Sequence, residues 1–258
     1  MEAVRDHAEL LAIRYRAQFG SEISTDNARE IVSPEYAASK ENRTRFSAAT
    51  QKPAGMLSDY LFEQALRNPD LDRRLIVSMT AGGTGAGKTT AIHANGDLCQ
   101  SQFVFDSNFG SKRSSVQKIE LAKAAGYQVH VIFVHREPLD ALIRGVLPRA
   151  MSEGRVVDID AHARMYRDAA ENFGYLVRKY AHDPVVAFTA IDNTGFGRTP
   201  MPMPIEKATG IRYSTRELLP KLAEALDKEY AARRISTAVY RASLGATVAP
   251  VAGGRPVH

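Results

Sequence analysis

One cysteine, Cys99, and no tryptophan occur in the whole chain. A lone thiol can close no internal disulfide, and such low cysteine use suits a reducing compartment. No apolar run approaches the roughly 18 residues that a membrane span needs. The opening residues, MEAVRDHAELLAIRYRAQF, lack the basic, apolar, small-residue order of a secretory signal. Val4, Ala8, Leu11, Tyr15 and Phe19 recur instead at helical spacing, with Gly20 placed to end the helix. The expected location is the cytoplasm, away from any membrane. The seven histidines show no paired ligand spacing, so no structural zinc is expected. Cys99 has no catalytic context and is expected to be buried or inert.

What is present describes a soluble α/β protein. Apolar residues make up 44% and charged residues 24% of 258, enough for a substantial core. The formal charge of +5 is mildly basic and could favour nucleotides or polyanions, though scattered surface lysine and arginine also produce it. Apolar runs of strand length occur at 74–81, 102–108, 127–135 and 183–193. Helical patterns fall at 57–68, 114–126, around His162 to Tyr180, and from Leu219 to Ala242, while 33–56 reads as polar with irregular turns. Asp26 is placed to cap a short helix. Strands alternating with helices predict a P-loop-type parallel sheet with helices on both faces. A single domain over 1–245 is expected, with a helical N-terminal segment at 1–73, a nucleotide-binding core and lid at 74–195, and a loose tail at 246–258.

The strongest signal is SMTAGGTGAGKTTAI, where four glycines stand within six residues. Gly82, Gly83, Thr84, Gly85, Ala86, Gly87, Lys88 and Thr89 fit the phosphate-loop pattern, between a predicted strand and a helix. Bare backbone lets successive N–H groups turn toward phosphate oxygens, and the helix N-terminus adds its dipole. Lys88 would reach the β- and γ-phosphates, the Thr89 hydroxyl would bind Mg2+, and Thr90 follows in the same site. ATP and Mg2+ are the expected cofactors. Farther on, Arg149 and Arg155 fall in a short stretch between two helices, where arginines on a closing lid would match the spread charge of a transferring phosphoryl group.

Several blocks together resemble the zeta toxin family of small-molecule kinases. They are GGTGAGKTT, FVFDSNFGS, AAGYQVHVIFVHREP, LPRA and GRVVDIDAH, spanning about 74–195. They are similar to the family's phosphate loop, its acidic-Gly-Thr strand end, a helix–strand unit, and the arginine lid with a downstream histidine, here His162. The resemblance implies ATP-dependent phosphorylation of a hydroxyl on a nucleotide-linked sugar or ribose, such as UDP-N-acetylglucosamine or NAD, by a toxin restrained by an antitoxin protein.

One departure concerns the base. The family places a strand ending in a catalytic aspartate after the phosphate-loop helix, then a Pro-x-aromatic element, and only about a dozen residues are available for it here. STDNAREIVSPEYAASKENRTRF, near the N-terminus, is similar to that block. The resemblance therefore implies a rearranged or circularly permuted chain in which Asp26 deprotonates the acceptor and Arg29 helps hold it. Asp106 is the rival: it ends the strand after the phosphate loop, and with Asn108 it could bind substrate, order Mg2+ through water, or serve as base. Asp192 and Asn193 would contact the adenine region or form a turn, Tyr36 is expected to pack, and Arg233 and Arg234 to lie on a solvated helix face. Two other classes are a polynucleotide-end kinase, which lacks the expected aromatic-studded groove, and an ATPase or switch module without an acceptor pocket.

Overall fold

The computed structural model describes residues 6–70, 74–94, 101–195 and 199–245, with Val4, Asp72 and Gly197. Cys99 and the expected tail at 246–258 lie outside the described residues. The chain opens with α1 (Ala8–Phe19) and a short strand, β1 (Glu22–Ser24). Three helices follow, α2 (Thr25–Val32), α3 (Pro34–Ala38) and α4 (Lys40–Arg67). Each begins on a serine whose hydroxyl accepts a backbone N–H three residues on: Ser24 from Asn27, Ser33 from Tyr36, Ser39 from Asn42. This satisfies a donor that the helix itself leaves free.

Two expectations are corrected here. Ser24, not Asp26, caps α2, so the Asp26 carboxylate has another use. The stretch expected as irregular turns is almost wholly helical, because its serines are caps rather than turn residues. Pro53 lies inside α4, where it removes one hydrogen bond. Ala54, Leu57, Leu61, Phe62 and Leu66 are buried along the same helix and hold it in place.

Beyond α4 come β2 (Ile76–Ala81), α5 (Lys88–Ala94), β3 (Phe103–Asp106), α6 (Lys112–Ala124) and β4 (Gln128–His135). Helix α7 (Pro138–Ala141), a π-helical turn (Leu142–Val146) and α8 (Leu147–Glu153) make up the segment expected to carry the lid, called the lid for its position. Then follow α9 (Ile159–Lys179), β5 (Val186–Asp192), β6 (Met201–Met203), α10 (Ile205–Gly210), α11 (Thr215–Ala231) and α12 (Thr237–Leu244). The single helix expected from Leu219 to Ala242 is two, separated where Arg233 adopts φ +58°. Arg233 and Arg234 therefore sit in a turn, and Arg234 pairs with Glu229 at 2.6 Å.

The sheet runs β1-β3-β2-β4-β5-β6. All neighbours are parallel except β6, an antiparallel edge strand that tolerates Pro202. One face, with Val77, Met79, Phe105, Val131 and Phe133, packs under α4, α6 and α9. The other, with Ile132, Val134 and Ile191, receives Ala91 of α5. The lid has its own apolar core: Leu142, Val146, Leu147 and Ala150 pack with Leu222 and Leu226 of α11 and Val239 of α12. In register, Ser24 lies opposite Asp106, and Asp106 opposite Thr80. The C-terminal ends of β1, β3 and β2 thus share one edge, and β2 is the switch point, with β3 on one side and β4 on the other, where such sheets bind ligands.

Candidate active site

Residues 82–87 join β2 to α5 and are braced from four directions. The Nε2–H of His162 donates to the Pro138 carbonyl at 2.9 Å, which leaves Nδ1 to accept the Thr84 hydroxyl at 2.7 Å. Burial pulls the His162 pKa down to about 4, against a smaller upward push from the Pro138 carbonyl, so the ring is neutral near pH 7. The Asn193 amide donates to the Ala86 carbonyl at 2.7 Å, and Arg136, paired with Asp140 at 2.6 Å, donates to the Gly85 carbonyl at 3.4 Å. The π-helical turn closes the fourth side. Gly85 adopts φ +73°, and a Cβ there would lie 2.7 Å from the Ala141 carbonyl oxygen, while a Cβ at Gly145 would lie 2.8 Å from Gly85 O. Only glycine at both positions allows this approach. Helices with a π turn are frequent at functional sites.

Lys88 projects from the start of α5 with its Nζ 2.9 Å from Asn108 Oδ1 and 3.9 Å from Asp106 Oδ1. Asp106 also accepts the Thr80 hydroxyl, tying the ends of β2 and β3. The turn presenting Asn108 is held by Asn172, whose buried amide donates to the Phe109 carbonyl. Phe109 has φ +52°, unusual for a bulky residue. Thr89 and Thr90 are exposed beside Lys88.

On the far side of this edge, Asp26 meets the lid. Its Oδ2 lies 3.2 Å from Arg149 Nη2 and 3.8 Å from Arg155 Nη1, and its Oδ1 lies 3.8 Å from Arg29. Burial pushes the Asp26 carboxyl up, but Arg149, Arg29 and Arg155 outweigh it and hold it below the ordinary aspartate value. Arg29 is itself tied to Ser47 and Gln51 of α4, and Tyr36 is fully packed. Arg149 lies on α8 rather than between helices, whereas Arg155 is in the loop beyond it.

The structure therefore brings the sequence-predicted residues into two groups on one sheet edge: Lys88, Asp106 and Asn108, and Asp26, Arg29, Arg149 and Arg155. Sequence reasoning missed Arg136, Gly145, Asn172 and the bracing use of Asn193. Arg136 directly follows β4 and Asn193 directly follows β5, positions where parallel sheets carry ligand-side residues, and that placement was the available signal.

A parallel sheet with a phosphate loop on its switch-point strand defines a P-loop kinase-like α/β protein. A family model described as Zeta toxin matches residues 99–196, and over that segment the chain resembles the family. The match runs from just before β3 to just past β5, leaving out both the phosphate loop and the Asp26 block. Similar solved structures include the AvrRxo1-ORF1:AvrRxo1-ORF2 complex with sulphate ions (15% identity, TM-score 0.43, covering 71% of this chain and 78% of that one). The same complex with ATP aligns at 14% identity and TM-score 0.43, covering 71% and 79%. No curated protein matches the chain.

Proposed function

We propose that this protein is an ATP-dependent kinase that transfers the γ-phosphate to a hydroxyl of a nucleotide-linked sugar or ribose, as the toxin of a toxin–antitoxin pair. The observation that carries the reading is the convergence of a braced phosphate loop, with Lys88, and an aspartate–arginine cluster on one sheet edge.

In this reading the residues 82–89 cradle the phosphates, and Lys88 leaves Asn108 and Asp106 to follow the γ-phosphate as charge moves onto it. Hard oxygen donors, the exposed Thr89 hydroxyl and the Asp106 carboxylate, fit Mg2+ held mostly by phosphate and water. Among the described residues no cluster of His, Cys, Asp or Glu forms an all-protein metal cage. The ion would neutralise phosphate charge. Asp26, kept ionised by its arginines, takes the acceptor proton. Its low basicity is tolerable because a loose phosphoryl-transfer transition state asks little of the base until late. Arg149 and Arg155 match the charge on the transferring group, while Arg29, Asp106 and Asn108 contact the acceptor.

The order of the chain supports the assignment of Asp26. Strand β1 occupies the edge beside β3 and leads into Asp26, and it comes from before the glycine-rich loop. The deciding experiment incubates the protein and labelled ATP with separate pools of nucleotide sugars, NAD and oligonucleotides. Label in a nucleotide sugar or NAD supports the proposal. Label only on oligonucleotide ends, or release of phosphate alone, would replace it with a polynucleotide kinase or a switch module.

A further inference from the structure

Glu30 lies one helical turn beyond Asp26 on α2 and has no role in the chemistry just described. Its side chain is 14% exposed. Its Oε1 accepts from Arg155 Nη2 at 2.7 Å and from Arg43 Nη2 at 3.3 Å. Arg155 is thereby pinned on three sides, since its Nη1 faces Asp26 at 3.8 Å and its Nε faces Glu153 at 3.4 Å. A charge-assisted hydrogen bond to a mostly buried carboxylate is a strong restraint on a guanidinium.

The backbone of the lid is gripped from the same direction. Three side chains of α4 reach carbonyls at the end of α8: Lys40 to Met151 at 3.5 Å, Arg43 to Glu153 at 3.4 Å, and Thr44 to Gly154 at 2.9 Å. Carbonyls at a helix end have no partner within the helix and must find one elsewhere. Gly154, at φ +76°, makes the seam possible, because a Cβ there would fall 1.9 Å from the Lys40 carbonyl oxygen. Among the described residues, every ion pair of Arg149 and Arg155 runs to Asp26, Glu30 or Glu153. Apart from Glu153 on α8 itself, the partners of these arginines lie on α2, the helix that carries Asp26 and Arg29, and not on the glycine-rich loop.

We propose that Glu30 is a positioning residue that sets Arg155, and that the α2–α4 unit which receives the acceptor thereby fixes the lid in its working place. An acceptor that shifts α2 or α4 then shifts the arginines with it, so transfer is favoured when the acceptor is seated. This inference rests on the kinase reading, and Glu30 touches no reacting atom.

The test compares Glu30→Gln and Glu30→Ala with Arg155→Ala and the Glu30→Ala/Arg155→Ala double variant. Glu30→Ala is expected to lower kcat about tenfold or more with KM for ATP changed less than about twofold, and Glu30→Gln, which keeps one acceptor oxygen, to lose less. In the Arg155→Ala background Glu30→Ala should change kcat by less than about twofold, since its shorter contact, to Arg155, is already gone and only the longer one to Arg43 remains. Additive losses would overturn the proposal. Hydrogen exchange of the free protein gives a readout independent of activity: amides in 147–156 should exchange faster in Glu30→Ala, and unchanged exchange would also overturn it. Transfer by the wild type that Lys88→Ala abolishes keeps the kinase reading standing even if Glu30 proves inert. Faster exchange in a protein that transfers nothing sinks the kinase reading and leaves the grip of Glu30 on the lid intact.

Discussion

Arg149 and Asp26 meet at 3.2 Å although 123 positions separate them in the chain. The pair joins the segment 147–153 to the strand–helix unit that precedes the glycine-rich loop, and under the proposed kinase reading the aspartate of that unit is the base. Asp26→Asn keeps the size of the side chain, and because Ser24 is the cap, α2 keeps its start. Transfer is expected to fall about 10²- to 10⁴-fold, the usual loss for a general base, with the fold and ATP affinity nearly unchanged and a small drop in melting temperature from the lost pairs with Arg149, Arg29 and Arg155. Full activity in Asp26→Asn beside a dead Asp106→Asn would move the role of base to Asp106 and end the rearrangement hypothesis.

Lys88→Ala should abolish transfer. Its ammonium lies 2.9 Å from Asn108 Oδ1 and 3.9 Å from Asp106 Oδ1, and the other cation beside the loop, Arg136, is paired with Asp140. A turnover assay with saturating ATP checks this, and normal turnover would refute the phosphate-loop assignment.

The legible and illegible parts of this protein differ in how far their partners lie along the chain. The glycine-rich stretch is contiguous, so the match of Gly82 to Thr89 to the phosphate-loop pattern could be read directly, as could β4 and β5, although only β4 is buried along most of its length. Strand β1 could not. Its three residues carry little pattern of their own, and they are a strand only because Glu22 to Ser24 find Val104 to Asp106. Ser33 and Ser39 misled for a different reason: a serine that caps a helix and one that makes a turn are the same residue until the following N–H is seen to bond to it. Asp26 could be connected to the lid only through the family resemblance, since nothing local distinguishes it from a cap. Gly145 looked like any helical glycine, and its purpose is visible only once Gly85 is packed against it.

Arg149→Ala and Arg155→Ala should each reduce kcat more than they weaken ATP binding, because their charge is most useful when the phosphoryl group is in flight. Titration of ATP by calorimetry alongside kcat separates the outcomes. Equal losses in both would mark the two arginines as ground-state phosphate clamps.

His162 predicts a pH dependence of stability. It is fully buried and its pKa is lowered by burial to about 4 in the folded protein, against about 6.5 when unfolded. Between those values the unfolded chain binds a proton that the native state refuses, so stability falls as pH drops from about 6.5 toward 4. The contribution is on the order of 3 kcal/mol over the whole window. Urea unfolding at several pH values should show a steeper decline for the wild type than for His162→Gln, which has no such proton to exclude. Parallel pH profiles would mean the ring titrates normally in the native state.

Gly145→Ala sets two effects of opposite sign against each other. In an ordinary exposed helix, alanine is favoured over glycine by about 1 kcal/mol, so propensity alone predicts a more stable protein. Here the added Cβ would lie 2.8 Å from the Gly85 carbonyl oxygen and 3.0 Å from its Cα, both backbone atoms of the phosphate loop. Backbone cannot swing aside as a long side chain can, so either the π-helical turn or the loop must move. The turn is anchored by Leu142 and Val146 in the lid core, and the loop is held by Arg136, Asn193 and His162. The contact is expected to win, lowering the melting temperature and weakening ATP binding together. A calorimetric scan with and without ATP reads both effects. A higher melting temperature with unchanged ATP affinity would show that the π-helical turn does not brace the phosphate loop.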